Sequence, residues 1–213
     1  MPRRIESHLL SGPAGNLEAL LEAPEESELR GLALICHPHP LFGGTMHNKV
    51  VYRTARALRS LGYVVLRFNF RGVGKSEGKH DGGIGEIDDA RAALAWLRNR
   101  YPGLPYTAAG FSFGSQVALG VACAAGDAEC AIALGYPALR ASTGWTHCVV
   151  PKIFIQSTHD EHGPAAVMEA FFAQAAEPKR LIWVEAQDHF FAGGLDALEA
   201  RIKSLWEPGS LHH

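Results

Sequence analysis

A serine between two glycines, and a histidine and a carboxylate late in the chain, are the residues of this sequence that could do covalent chemistry together. Gly110-Phe111-Ser112-Phe113-Gly114 closes a short apolar run at 106–110 and opens a small-residue helical stretch at 112–125. A serine on so tight a turn from strand to helix has the geometry of a nucleophile elbow. The glycines remove Cβ atoms for which the turn has no room, and the serine itself takes a strained backbone that lifts its hydroxyl above the sheet edge. With 23 glycines in the chain the pentapeptide alone specifies little, so its partners decide.

A hydroxyl nucleophile needs a general base, and the base needs a carboxylate to orient it. In a parallel sheet both come from loops after later strands, in the order Ser, then Asp or Glu, then His. Lys152-Ile-Phe-Ile-Gln-Ser157 reads as a buried strand, followed at once by Thr158-His-Asp-Glu161. Arg180-Leu-Ile-Trp-Val-Glu185 reads as the next strand, followed by Ala186-Gln-Asp-His189. Ser112, Asp160 and His189 therefore stand in triad order. Glu161 is the competing acid, while Asp188 has the character of a turn residue. The bland readings are a helix N-cap for Ser112 and an ordinary surface histidine for His189; three placements in the required order outweigh them.

The elements that must position these residues are legible as alternation. Strand-like runs fall at 31–36, 63–70, 106–110, 131–136, 153–157 and 181–185, and helix-like runs at 48–61, 84–101, 113–125, 164–175 and 195–206. Ile87, Ala90, Leu94, Leu97 and Tyr101 recur at helical spacing and mark one buried face. Runs 3–10 and 16–23 flank Gly12-Pro-Ala-Gly15 and predict an antiparallel pair. Continuous apolar strands alternating with amphipathic helices predict an α/β class with a mostly parallel sheet covered on both faces. No linker interrupts the pattern, so residues 1–206 are expected to form one domain, with 207–213 a tail ending in His212-His213 that looks tag-derived.

Composition narrows the partners. Among 213 residues, 47% hydrophobic and 20% charged with a net charge of −2, nothing favours nucleic acid or an anionic membrane surface. No apolar run reaches membrane-span length, and the first residues lack the core of a signal peptide. Cys36, Cys123, Cys130 and Cys148 form no C-x-x-C pair and no disulfide framework, so a reducing cytoplasm is expected. The sequence is silent on oligomeric state.

The alternation, the Gly110–Gly114 elbow and the order Ser112, Asp160, His189 resemble the α/β-hydrolase fold. Cys36-His-Pro-His-Pro-Leu-Phe-Gly-Gly44 with Met46-His-Asn-Lys-Val50, Phe68-Asn-Phe-Arg-Gly-Val-Gly-Lys-Ser-Glu-Gly78 and Gly85-Glu-Ile-Asp-Asp89 resemble a subgroup of small, lidless bacterial members. The resemblance covers the chain from Gly31 onward. It implies a cofactor-free serine esterase acting on a small-molecule ester. A thioesterase or acylaminopeptidase would use the same residues, and a catalytically silent member of the fold would serve as a binding protein.

The oxyanion site needs backbone N–H groups. Proline has none, which removes Pro38 and Pro40 and leaves His39 or Leu41 in the first loop; the resemblance to an H-G-x-P-type loop puts the donor at His39. Phe113, after the nucleophile, supplies the second. The imidazoles of His37 and His39 are expected to brace loops. The resemblance also places any lid after the strand that follows the nucleophile helix, where only residues 137–150 intervene. That leaves an open cleft, with Leu41, Phe42, Trp145 and Phe190 as apolar contacts and short acyl chains preferred.

Two other chemistries fit poorly. His159-Asp-Glu-His162 lacks the spacing that puts two metal ligands on one helix face, so no metal is expected. Gly74-Lys75-Ser76 approaches a phosphate loop, but Asn69 stands where that motif needs glycine and no helix begins at Ser76.

Overall fold

The computed structural model describes residues 4–24, 28–140 and 144–206. The tail at 207–213 lies outside them. Eight strands form one sheet: β1 (Arg4–Gly12), β2 (Gly15–Ala23), β3 (Gly31–Cys36), β4 (Tyr63–Phe68), β5 (Tyr106–Phe111), β6 (Cys130–Leu134), β7 (Lys152–Ser157) and β8 (Lys179–Val184). Their spatial order is β1-β2-β4-β3-β5-β6-β7-β8. β1 pairs antiparallel with β2 and β2 antiparallel with β4, while β3 to β8 run parallel.

Among the described residues, five α-helices cover the sheet: α1 (Lys49–Ser60), α2 (Ile84–Arg100), α3 (Phe113–Ala125), α4 (Ala165–Gln174) and α5 (Leu195–Lys203). Side chains alternate across each strand. Leu32, Leu34 and Cys36 of β3 pack with Leu94 and Leu97 of α2, Val117 and Val121 of α3 and Met168 of α4. Ala33 and Ile35 face the other way, onto Val50, Val51 and Leu58 of α1 and Leu198 and Ile202 of α5. The central strands β3, β4 and β5 are buried throughout, hence their largely apolar sequences; the exceptions are Thr107 of β5 and Arg67 of β4, whose guanidinium bonds Glu22 of β2.

Sequence-predicted boundaries shift by a few residues. β4 stops at Phe68 because the backbone of Asn69 and Phe70 turns to other partners: Asn69 N–H donates to Glu18 O and Phe70 N–H to His37 Nε2. The Asn69 side chain is structural, accepting from Met46 N–H at 2.8 Å and donating to Glu18 at 2.9 Å, which explains its place in the loop that imitates a phosphate motif. β8 starts two residues before its predicted run and is only half-buried, as befits an edge strand.

The cysteine reading needs correction. Cys123 in α3 and Cys148 are disulfide-bonded, with Cα atoms 5.4 Å apart, while Cys36 and Cys130 are free and buried. Disulfides persist in oxidising compartments and are rare in reducing ones, so the bridge does not speak for the cytoplasm expected from sequence. Among the described residues, no helix is long and apolar enough to cross a membrane.

Candidate active site

β5 ends at Phe111 and α3 begins at Phe113, so Ser112 alone makes the turn, at φ 55° and ψ −121°. Left-handed φ is costly for a residue with a Cβ, and here the surroundings enforce it. A Cβ on Gly110 would lie 2.0 Å from Gly114 O, and one on Gly114 would lie 2.4 Å from both Cys36 O and His37 O. Ser112 N–H donates to Leu134 O at 2.9 Å, and Ser115 Oγ donates to Ser112 O at 2.5 Å. The Ser112 side chain makes no capping bond to its helix, so its hydroxyl is left to other work.

That hydroxyl faces His189. Nε2 of His189 is 2.9 Å from Ser112 Oγ, and Nδ1 is 2.8 Å from both oxygens of Asp160. Asp160 also accepts from Gln156 Nε2 at 2.8 Å, His162 N–H at 2.8 Å and Gly163 N–H at 3.1 Å. Both side chains are buried, and a donor set this rich suits a carboxylate that accepts at each oxygen. Gln156, in an otherwise apolar strand, was missed from sequence; a buried amide four residues before the acid was the available signal.

The competing acids do other things. Glu161 accepts from the His189 backbone N–H at 3.1 Å rather than from its ring. Asp188 accepts from Ala192 N–H at 2.9 Å and closes the turn that carries His189. The rings of Phe111, at 4.9 Å between centroids, and His162, at 4.5 Å, pack on the His189 imidazole and fix its plane.

His37 and His39 differ in role. His37 is fully buried; Nδ1 donates to Pro38 O at 2.6 Å and Nε2 accepts from Phe70 N–H at 3.0 Å. This pins the loop after β3 to the loop after β4, and burial pushes the imidazole down to about 4. His39 Nδ1 accepts from Leu41 N–H, and burial and the neighbouring His80 hold its ring below the usual histidine range. Neither the His39 nor the Phe113 backbone N–H is taken up by another described residue. Close packing of the turn also requires Gly44, where a Cβ would meet Pro38 O at 2.1 Å.

Ser112 and His189 open into a cleft of about 360 Å³ whose walls include His39, Phe42, Arg140 and Phe190. Phe42 and Phe190 are 80% and 52% exposed, and Leu41 is exposed on the same short turn, Pro40–Phe42, outside the cleft wall. Trp145 is a correction. It is buried among Tyr136, Phe154 and Phe171 and lines a separate groove of about 550 Å³, which shares Phe113 with the site but not Ser112. A loop that short was read as surface, whereas its tryptophan completes the core. Arg140 and His162 on the cleft wall were not anticipated. Among the described residues, no group of three or more His, Cys, Asp or Glu could hold a metal ion.

Residues 27–150 match the family model described as serine aminopeptidase, S33. An α/β serine hydrolase homologue from Coxiella burnetii is 37% identical, with a TM-score of 0.90, covering 94% of this chain and 97% of that one. A lidless α/β serine hydrolase from Xanthomonas campestris is 36% identical, with a TM-score of 0.87 and 95% and 94% covered. An uncharacterised protein of Rickettsia prowazekii is 48% identical over 110 residues, 51% of this chain and 46% of that protein. The chain spans about half the length of the curated relatives it matches.

Proposed function

This chain belongs to the serine aminopeptidase, S33, family and has the α/β-hydrolase fold without a lid, and from that premise we propose that it hydrolyses carboxylic esters with short acyl groups through Ser112, His189 and Asp160. The observation that carries this reading is the continuous run of contacts from Ser112 Oγ to His189 Nε2, 2.9 Å, and from His189 Nδ1 to Asp160, 2.8 Å.

In this mechanism His189 Nε2 takes the Ser112 proton as Oγ attacks the acyl carbonyl carbon. Asp160 holds the imidazole with its proton on Nδ1 and stabilises the imidazolium. The oxyanion is received by the free N–H groups of His39 and Phe113. Collapse of the tetrahedral species breaks the ester C–O bond, and the Nε2 proton leaves with the alcohol. Water, deprotonated by His189, then attacks the acyl-enzyme; the acid departs and Ser112 recovers its proton.

Thioesters and activated amides fit the same steps. The open cleft supports a preference for short acyl groups. Each methylene beyond the first few gains well under the ~0.8 kcal/mol of full burial. A panel of p-nitrophenyl esters of rising chain length, run beside acyl-CoA thioesters, tests this. The expected optimum in kcat/KM is at about two to six carbons with esters ahead. A sharp jump at the micellar threshold, or a preference for thioesters, overturns the corresponding part.

A further inference from the structure

A second carboxylate–imidazole pair lies beside the nucleophile, and the steps above do not use it. His80 Nδ1 is 2.8 Å from Glu86 Oε1, a close approach rather than an aligned hydrogen bond. Glu86 is fully buried at the start of α2 and accepts from Asp81 N–H at 2.9 Å and Gly83 N–H at 2.8 Å. Burial works to raise its carboxyl, and those amides outweigh burial and leave it below the usual range. The loop at 79–83 is thus tied down from inside, with the His80 ring, 15% exposed, projecting from it.

What that ring touches is specific. Its centroid is 4.9 Å from the His39 ring and 5.7 Å from the Phe113 ring, and the His39 and Phe113 rings are 5.0 Å apart. His39 comes from the loop after β3 and Phe113 from the start of α3, and neither N–H group is taken up by another described residue. Phe70, edge-on to Phe113 at 5.7 Å, backs the cluster. Among the described ring contacts, His80 is the one ring that meets both His39 and Phe113.

We infer that His80, anchored on Glu86, is a positioning residue that holds the His39 and Phe113 amides at the spacing an oxyanion requires. The inference rests on the oxyanion reading given under Proposed function. A displacement of about 1 Å in such a site costs on the order of a hundredfold, and outright loss of one donor 10²- to 10³-fold. Loss of the brace alone is expected to fall at or somewhat below the lower of these figures.

The test compares wild type, His80→Ala, Glu86→Gln and His80→Phe on p-nitrophenyl acetate, with inhibition by a trifluoromethyl ketone as a mimic of the tetrahedral species. His80→Ala and Glu86→Gln should lower kcat by about tenfold or more with KM within about twofold, and weaken the ketone by a matching factor. His80→Phe keeps a ring against His39 and Phe113 and should recover most of the loss. Wild-type kcat in His80→Ala, a loss carried by KM with ketone binding intact, or a His80→Phe protein no better than His80→Ala overturns the inference. Failure of the underlying reading looks different: wild type itself would then show neither turnover nor tight ketone binding.

Discussion

Replacing Asp160 by Asn changes one atom and should silence the site. Oδ1 of Asp160 accepts from His189 Nδ1, His162 N–H and Gly163 N–H, and Oδ2 accepts from His189 Nδ1 and Gln156 Nε2. An amide nitrogen at the first position faces three donors, and at the second, two, so it is expected at the second. There the imidazole relieves the donor–donor clash by moving its proton from Nδ1 to Nε2. Nε2–H then points at Ser112 Oγ, 2.9 Å away, and can no longer take the serine proton. The expected loss in kcat is ~10⁴, about 5.5 kcal/mol of transition-state stabilisation, with KM changed far less. Steady-state kinetics on p-nitrophenyl acetate beside a thermal melt measure both activity and folding. Glu161→Gln is the control: its carboxylate is 57% exposed, accepts from the His189 backbone N–H rather than the ring and lies 3.9 Å from the exposed His162 Nε2, so activity should stay within about threefold. If Glu161→Gln proves the more damaging of the two, the assignment of the acid is wrong.

Three further outcomes follow from the same geometry. Gly114→Ala places a Cβ 2.4 Å from two carbonyl oxygens and should lower the melting temperature and abolish activity, since backbone rather than a flexible side chain must give way; an active, equally stable variant refutes the packing argument. His37 binds a proton in the unfolded chain near pH 6.5 but in the fold only near 4, so stability should fall as pH drops through that window, by about 3 kcal/mol from this group. Urea unfolding at several pH values should show the fall, and His37→Asn should remove that share of it; an unchanged slope in the variant counts against it. Activity should persist in EDTA, and a loss on chelation that zinc restores would reopen metal chemistry at His159 and His162.

The sequence made local and ordinal features legible and hid features made by distant contacts. The elbow was readable because both glycines fall inside one five-residue motif, although only Gly110 is required by approach within it, to Gly114 O, and Gly114 is required by the distant carbonyls of Cys36 and His37. Asp160 and His189 were readable because strands β7 and β8 announce themselves by apolar content and the residues after them take the loop positions. The bond between Cys123 and Cys148 was not, since 25 residues of separation carry no periodic or motif signal. Trp145 followed the same logic: its burial depends on Tyr136, Phe154 and Phe171, which only the folded sheet brings together. The meeting of His80 and Glu86 with His39 and Phe113 likewise joins three segments that no short window contains.

The most direct test of the account is covalent labelling of the folded protein with an alkyl fluorophosphonate, followed by peptide mass spectrometry. A hydroxyl activated by His189 attacks phosphorus and expels fluoride, which an ordinary serine does not do at a comparable rate. The account predicts one adduct, on Ser112, lost in Ser112→Ala and strongly slowed in His189→Ala while both variants remain folded. Folded wild-type protein that leaves Ser112 unlabelled, or that carries the label on another residue, contradicts it.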